Sequence, residues 1–239
     1  MPVDKFPEAV IFDLDDTLID FNSSTEACWN AVCQQYAVYI PGVSPDQVLT
    51  AINDYRRWFW SDPERHRAGR LDLEQARRDI VYGALKQLGI DSYEHAVRIG
   101  DAYSTLRDET LVLFPDAIDV LEHYRASGMP LAMITNGQAV LQRDKIDRFK
   151  LDRYFDLIII EGEFGIGKPD ERVYLYVLNH LGVEPGDAWM VGDNLEWEVA
   201  APQRLGIQGI WFDVRGSGLP EGSGVVPYRI IRRLSDLIS

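Results

Sequence analysis

Asp13 and Asp15 stand two residues apart at the end of a short apolar run, within Asp13-Leu14-Asp15-Asp16-Thr17. At strand spacing they share one side, and a strand that is ending lets both reach the same cavity. Two carboxylates that close repel one another. A hard divalent cation relieves the repulsion, and Mg2+ takes oxygen ligands. One carboxylate can attack phosphorus. The other can protonate a leaving oxygen and later activate water. By itself the cluster reads equally well as an acidic loop after a strand.

Three more polar clusters follow. Thr135-Asn136-Gly137 lies directly before a helical pattern. A hydroxyl, an amide and free backbone N–H groups there make a phosphate cradle, or an ordinary N-cap. Gly167-Lys168-Pro169-Asp170 leads into another helix, with Pro169 where a first helical turn tolerates it. Lys168 can neutralise two carboxylates and a transferring phosphoryl group, or be a solvated turn lysine. Val191-Gly192-Asp193-Asn194 is followed by Glu198. Asp193 can be a further Mg2+ ligand or an N-cap. Glu198 can hold Lys168 or a metal-bound water, beside Asn194. None decides alone. Together they supply a nucleophile, an acid/base, a cradle, a cation and a metal carboxylate, an inventory that suits phosphoryl transfer.

The elements behind these clusters alternate. Apolar runs at 9–14 (AVIFDL), 130–135 (PLAMIT), 156–160 (DLIII), 188–192 (AWMVG) and 209–212 (GIWF) read as buried parallel strands. Helical stripes separate them. Ala117, Val120, Leu121 and Tyr124 form one, after Pro115-Asp116. Val173, Tyr174, Val177, Leu178 and Leu181 form another, closed by Gly182. This is an α/β chain with a Rossmann-like parallel sheet covered on both faces. Ligands of such sheets sit beyond the C-terminal strand ends. Residues 22–107 hold no convincing strand. Ser23-x-x-Glu26 and Ser44-Pro45-x-Gln47 read as capping boxes, and Asp72 and Ser92 as caps, so an all-helical insert of about four helices is expected. After residue 216 a loop and a short tail helix near 230–238 are expected.

The chain has 239 residues, 46% of them apolar, enough for a substantial core plus an insert. Its formal charge is −14, from 24 basic and 38 acidic residues. That argues against nucleic acid as a partner, which needs a basic face. It leaves phosphate esters open, because a metal ion and a few donors reverse the local field. The N-terminus carries no signal-peptide pattern, and no apolar stretch nears the roughly 20 residues that span a bilayer. Cys28 and Cys33 fit neither a zinc knuckle nor a redox pair and read as reduced thiols of a cytoplasmic protein. Oligomeric state is open.

At this point the residues resemble the haloacid dehalogenase (HAD) superfamily over nearly the whole chain. Asp13, Asp15 and Thr17 match its DxDxT pattern, Thr135 its threonine motif in ITNG, and Lys168 its lysine motif in GKPD. The last motif is commonly GDxxxxD. Here it runs from Gly192-Asp193 to Glu198, which replaces the second aspartate with one extra methylene. An indirect role for Glu198, through water or the lysine, is therefore expected. Pro202 interrupts the helix that normally follows and should kink or shorten it, since an interior proline costs about 3 kcal/mol.

The resemblance implies a core of residues 1–21 and 108–239 and a C1-type helical cap at 22–107. It implies Asp13 as nucleophile and Mg2+ ligand, and Asp15 as acid/base with its carbonyl on Mg2+. Thr135 and Asn136 would hold the phosphoryl oxygens. Lys168 would stabilise nucleophile and phosphate, and Asp193 would complete the metal site. A small-molecule phosphate monoester is the substrate class, hydrolysed through a phospho-aspartate.

Dehalogenases of the superfamily lack an acid at the Asp15 position. Phosphonate hydrolases need a cap lysine for a Schiff base, and Lys86 is the sole lysine of the insert, inside an amphipathic pattern. A phosphomutase, or a non-catalytic binder of phosphate ligands, remains an alternative. In the insert, Arg56, Arg57, Trp60 and His66 are candidates for substrate selection, set against a reading as cap core with solvated arginines.

Overall fold

The structure, a computed structural model, describes residues 6–238. Residues 1–5, read above as no signal peptide, lie outside the described residues. β1 (Ala9–Phe12) is four apolar residues, all buried. β2 (Ile19–Asp20) follows it. Five helices come next: α1 (Thr25–Tyr36), α2 (Pro45–Ser61), α3 (Pro63–Leu71), α4 (Leu73–Gln87) and α5 (Tyr93–Thr110). β3 (Val112–Leu113) returns antiparallel to β2. Then come α6 (Ala117–Ala126), β4 (Leu131–Thr135), α7 (Ala139–Arg148), β5 (Leu157–Ile160), α8 (Glu161–Phe164) and α9 (Glu171–Leu181). The chain ends with β6 (Ala188–Gly192), α10 (Ala201–Arg204), β7 (Gln208–Phe212) and β8 (Arg229–Ile231).

Contacts divide the chain into two compact units, Met1–Asp20 with Val112–Ser239, and Phe21–Leu111. The first unit is built on a six-stranded sheet in the order β5-β4-β1-β6-β7-β8. Every neighbouring pair in it is parallel. The chain leaves β1 for β4 and β5 on one side, then returns to β6 on the other. β1 is thus a switch point, where an open parallel sheet forms a crevice beyond its carboxyl ends. Register fixes what lines it. Phe12 pairs with Met133 of β4 and with Val191 of β6. The residues just past those strands are therefore neighbours.

The second unit is helical, around a core that includes Trp29, Val32, Ile52, Ile80, Leu85 and Tyr103. It has five helices rather than about four, because Asp62-Pro63 ends α2 and caps α3: the Asp62 side chain accepts from Arg65 N at 2.8 Å. The expected box at Ser23 and Glu26 does not form. Ser24 is the N-cap of α1 and makes no side-chain cap bond. Its hydroxyl instead lies 2.9 Å from Thr110 Oγ1 and accepts from Arg107 Nη1 at 2.7 Å. The Ser44 capping box and the caps at Asp72 and Ser92 form as read.

Two further readings change in the first unit, and a third holds. The tail is not a helix near 230: residues 229–231 form β8, parallel to β7, and a 3-10 turn covers Leu234–Leu237. Arg229, Ile230 and Ile231 gain ladder bonds on the sheet edge that a four-residue helical turn could not replace. Pro169 precedes its helix rather than opening it, since α9 starts at Glu171 with Asp170 as its cap. The helix after Asp193 is cut as Pro202 requires. A π-helical turn spans Leu195–Ala200, and α10 adds four residues.

Cys28 and Cys33 are buried free thiols. Burial pushes the Cys33 thiol up to about 12. No helix among the described residues is long and apolar enough to cross a membrane.

Candidate active site

Asp13 is the first residue beyond β1, and its backbone N–H still donates to Val191 O at 3.0 Å. The chain then turns sharply. Leu18 and Ile19 both donate to Leu14 O, and Asp16 sits at φ 61°, a left-handed conformation that a short acidic side chain tolerates. The turn brings Thr17 back under Asp13, whose Oδ2 accepts from Thr17 Oγ1 at 3.0 Å. Asp13 Oδ1 accepts from Lys168 Nζ at 2.5 Å. Both oxygens of this buried carboxylate are thus oriented.

Lys168 is 1% exposed and also meets Glu198 Oε1 at 2.7 Å. The other Glu198 oxygen accepts from Asn194 N at 2.8 Å. Burial opposes charge on Lys168, but Asp13 and Glu198 outweigh it and hold the ammonium above its ordinary range. Glu198 itself is pushed up to about 7 by burial, against the pull of Lys168. Gly192 must be glycine here, because a Cβ at that position would overlap the Glu198 side chain.

Thr135 ends β4 and is buried. Asn136 is committed to Lys168. Its Nδ2 donates to Lys168 O at 2.7 Å, and its Oδ1 accepts from Lys168 N at 2.8 Å. The loop that carries the lysine is thereby clamped to the tip of β4. Gly137 N donates to the buried Glu161 at 3.0 Å. A Cβ on Gly167 would overlap Asn136 Oδ1, so the close approach needs glycine.

Asp193 follows β6 and forms no ion pair among the described residues. Its carbonyl accepts from Trp211 Nε1 at 2.7 Å. Capping of the π-helical turn falls to Asn194, whose Oδ1 accepts from Glu196 N and Trp197 N. The Asp193 carboxyl is thus left facing the site. Burial, then Glu198, Asp13 and Asp16, push it up to about 9.

One lysine stands among three carboxyl groups, Asp13, Asp193 and Glu198, so a further cation is needed for all three to ionise together. Among the described residues no group of three or more His, Cys, Asp or Glu has metal-holding geometry. Two carboxylates and a main-chain carbonyl, with open positions for water and phosphate, are nonetheless the oxygen set that suits Mg2+. The donors fit that ion.

Two residues of the site carried no motif. Lys145 Nζ lies 2.8 Å from each carboxylate oxygen of Asp15. Gln142 Nε2 lies 3.0 Å from Asp15 Oδ2, 2.5 Å from Thr135 Oγ1 and 3.1 Å from Asn136 O. The available signal was their spacing: Gln142 stands four residues before the apolar Ile146, and Lys145 three residues after Gln142.

The sequence-predicted residues of the helical unit have local partners. Arg56 Nη1 donates to Asn53 Oδ1 at 2.7 Å and Glu26 Oε1 at 3.2 Å, and its guanidinium lies over Trp29. Arg57 pairs with Asp54 and is exposed. Trp60 packs edge-on against Phe59 and His66. His66 Nδ1 lies 3.2 Å from Arg70 Nη1. Lys86 lies over the Tyr82 ring.

A parallel α/β sheet with carboxylates, a clamped lysine and a buried threonine at its switch point is the frame of an enzyme. The model of haloacid dehalogenase-like hydrolases matches residues 7–206, and the chain belongs to that family. Its relatives include phosphoserine phosphatase of Thermus thermophilus, 35% identical over 154 residues. That match covers 64% of this chain and 56% of the relative. Human N-acylneuraminate-9-phosphatase is 27% identical over 250 residues, covering 96% of this chain and 91% of the relative. Among solved structures, the HAD-hydrolase YfnB of Bacillus subtilis, bound to magnesium, has a TM-score of 0.71 at 21% identity. It covers 98% of this chain and 97% of that one, a likeness of fold.

Proposed function

We propose that this protein is a Mg2+-dependent phosphatase that hydrolyses a small-molecule phosphate monoester through a phospho-aspartate on Asp13. The observation that carries the reading is a buried carboxylate, Asp13, with both oxygens oriented by Lys168 and Thr17, two residues from a second carboxylate held in place. The phosphatases among its relatives support the same reading.

Asp13, Asp193 and the main-chain carbonyl of Asp15 would hold Mg2+, which supplies charge neutralisation for a transferring phosphoryl group. An oxygen of Asp13 attacks phosphorus as the ester P–O bond breaks, and Asp15 gives a proton to the departing oxygen. Water then attacks the aspartyl phosphate. Asp15 takes its proton, and the Asp13–phosphorus bond breaks to free inorganic phosphate. Thr135 and the main-chain N–H of Asn136 line the cradle, because the Asn136 amide is occupied by Lys168 and the Gly137 N–H by Glu161. Lys168 works against the burial that raises the Asp13 carboxyl, and balances the incoming phosphoryl charge. Asp15 specifies the substrate class: the leaving group is an oxygen that needs a proton.

The test is phosphate release from a broad panel of phosphate esters with Mg2+, for wild type and Asp13→Asn. Release from at least one ester by wild type alone is expected. An inactive wild type, or an Asp13→Asn variant as active as wild type, would overturn the reading.

A further inference from the structure

Asp15 is gripped by the helix that follows the neighbouring strand. Gln142 and Lys145 are one turn apart on α7 and share a face. Both are buried, at 3% and 8% exposure, on a helix that leaves Asp144, Asp147 and Arg148 exposed. Burying an ammonium and an amide is costly unless every polar atom is used, and here each is. Lys145 donates to both Asp15 oxygens and, at 2.7 Å, to Gln142 Oε1. A lysine has only donors, so this contact fixes the orientation of the amide. Gln142 must then aim its NH2 group at Asp15, Thr135 and the Asn136 carbonyl. By donating to Thr135 Oγ1 it fills an acceptor site there and leaves the hydroxyl hydrogen for another oxygen.

We propose that Gln142 and Lys145 are positioning residues for the reaction, which lock the Asp15 carboxylate and the Thr135 hydroxyl into one frame across the tips of β1 and β4. The proton-transferring oxygen then keeps a fixed place relative to the phosphate cradle. The inference rests on the reading of Asp15 as acid/base. Its worth follows from geometry, since a misplacement of about 1 Å in such a group costs on the order of 100-fold in rate.

The test compares 4-nitrophenyl phosphate, whose leaving group departs without a proton, with an alkyl phosphate such as glycerol phosphate, whose leaving group needs one. Lys145→Met and Gln142→Leu should lower kcat about 100-fold on the alkyl ester and less than about 5-fold on the nitrophenyl ester, with little change in KM. Lys145→Arg, which can also grip both oxygens, should recover most of the loss. Lys145→Gln replaces Lys145→Met if the latter fails to fold in a circular-dichroism melt. Equal losses on both esters, a loss confined to KM, or no rescue by arginine would overturn the proposal. Asp13→Asn keeps the two ideas apart, because it should abolish both esters alike. Wild-type-like turnover by that variant would remove the phospho-aspartate reading while leaving the ester comparison to be judged separately.

Discussion

Glu198 Oε1 sits 2.7 Å from Lys168 Nζ, and each side chain is 1% exposed. Its other oxygen accepts the Asn194 N–H. The glutamate therefore serves two donors with two acceptors, in a space that only glycine at position 192 leaves open. Glutamine has one acceptor oxygen, so Glu198→Gln leaves a buried donor facing an NH2 group. A stranded buried donor costs about 2 kcal/mol. Lys168→Met strands Asp13 and Glu198 together and should cost more, about 4 kcal/mol. Urea unfolding of the metal-free protein measures both. A Glu198→Gln variant within about 0.5 kcal/mol of wild type would show that the two-donor account is wrong.

Asp193 gives the metal proposal a signature that does not depend on turnover. Its carboxyl is pushed up to about 9 by burial and by Glu198, Asp13 and Asp16. Without a cation it holds a proton at neutral pH, and a metal ligand must give that proton up. Binding of Mg2+ at about pH 7.5 should release close to one proton, and affinity should rise as pH climbs toward the carboxyl's own value. Calorimetric titration in buffers of different ionisation enthalpy reads the proton count directly. Asp193→Asn should bind more weakly and release almost none. A wild-type binding enthalpy independent of buffer would remove Asp193 from the ligand set.

The site was legible where strand ends announced it. Buried parallel strands of four or five residues are continuous apolar runs, so Asp13, Thr135 and Asp193 stand out as the first polar residues after AVIF, LAMI and AWMVG. Lys168 lies on a loop and was marked by its neighbours Gly167 and Pro169. The missing parts had no such contrast. β2 and β3 are two residues each, below any periodicity. Residues 229–231 carry two isoleucines beside arginines, a pattern that a helix and an edge strand share, and only the ladder to β7 decides between them. The α2–α3 break was readable, since an aspartate before a proline is an N-cap signal. Gln142 and Lys145 were not singled out, because a buried lysine makes sense only when its carboxylate, 130 residues earlier in the chain, is known to face it.

Asp116 carries a pH-dependent piece of the fold outside this chemistry. It precedes α6 without a side-chain cap bond, and its Oδ2 instead accepts from Ser235 N at 2.9 Å. That contact ties down the 3-10 turn whose Leu234 and Leu237 are buried. Burial opposes ionisation of Asp116, but the hydrogen bonds from Ser235 outweigh it, with Arg233 adding to them, and the carboxyl is held below its ordinary range. The folded value thus lies below the unfolded one. The contact stabilises fully above the ordinary carboxylate range and is lost as pH falls through the depressed folded value. Asp116→Asn should therefore cost about 1 kcal/mol at neutral pH. The gap between variant and wild type should close as pH falls through the depressed folded value and the wild-type carboxyl takes up its proton. Denaturant midpoints measured for both proteins at neutral and acid pH decide the matter, and a gap of the same size at both would mean that the carboxylate charge contributes nothing to holding the turn.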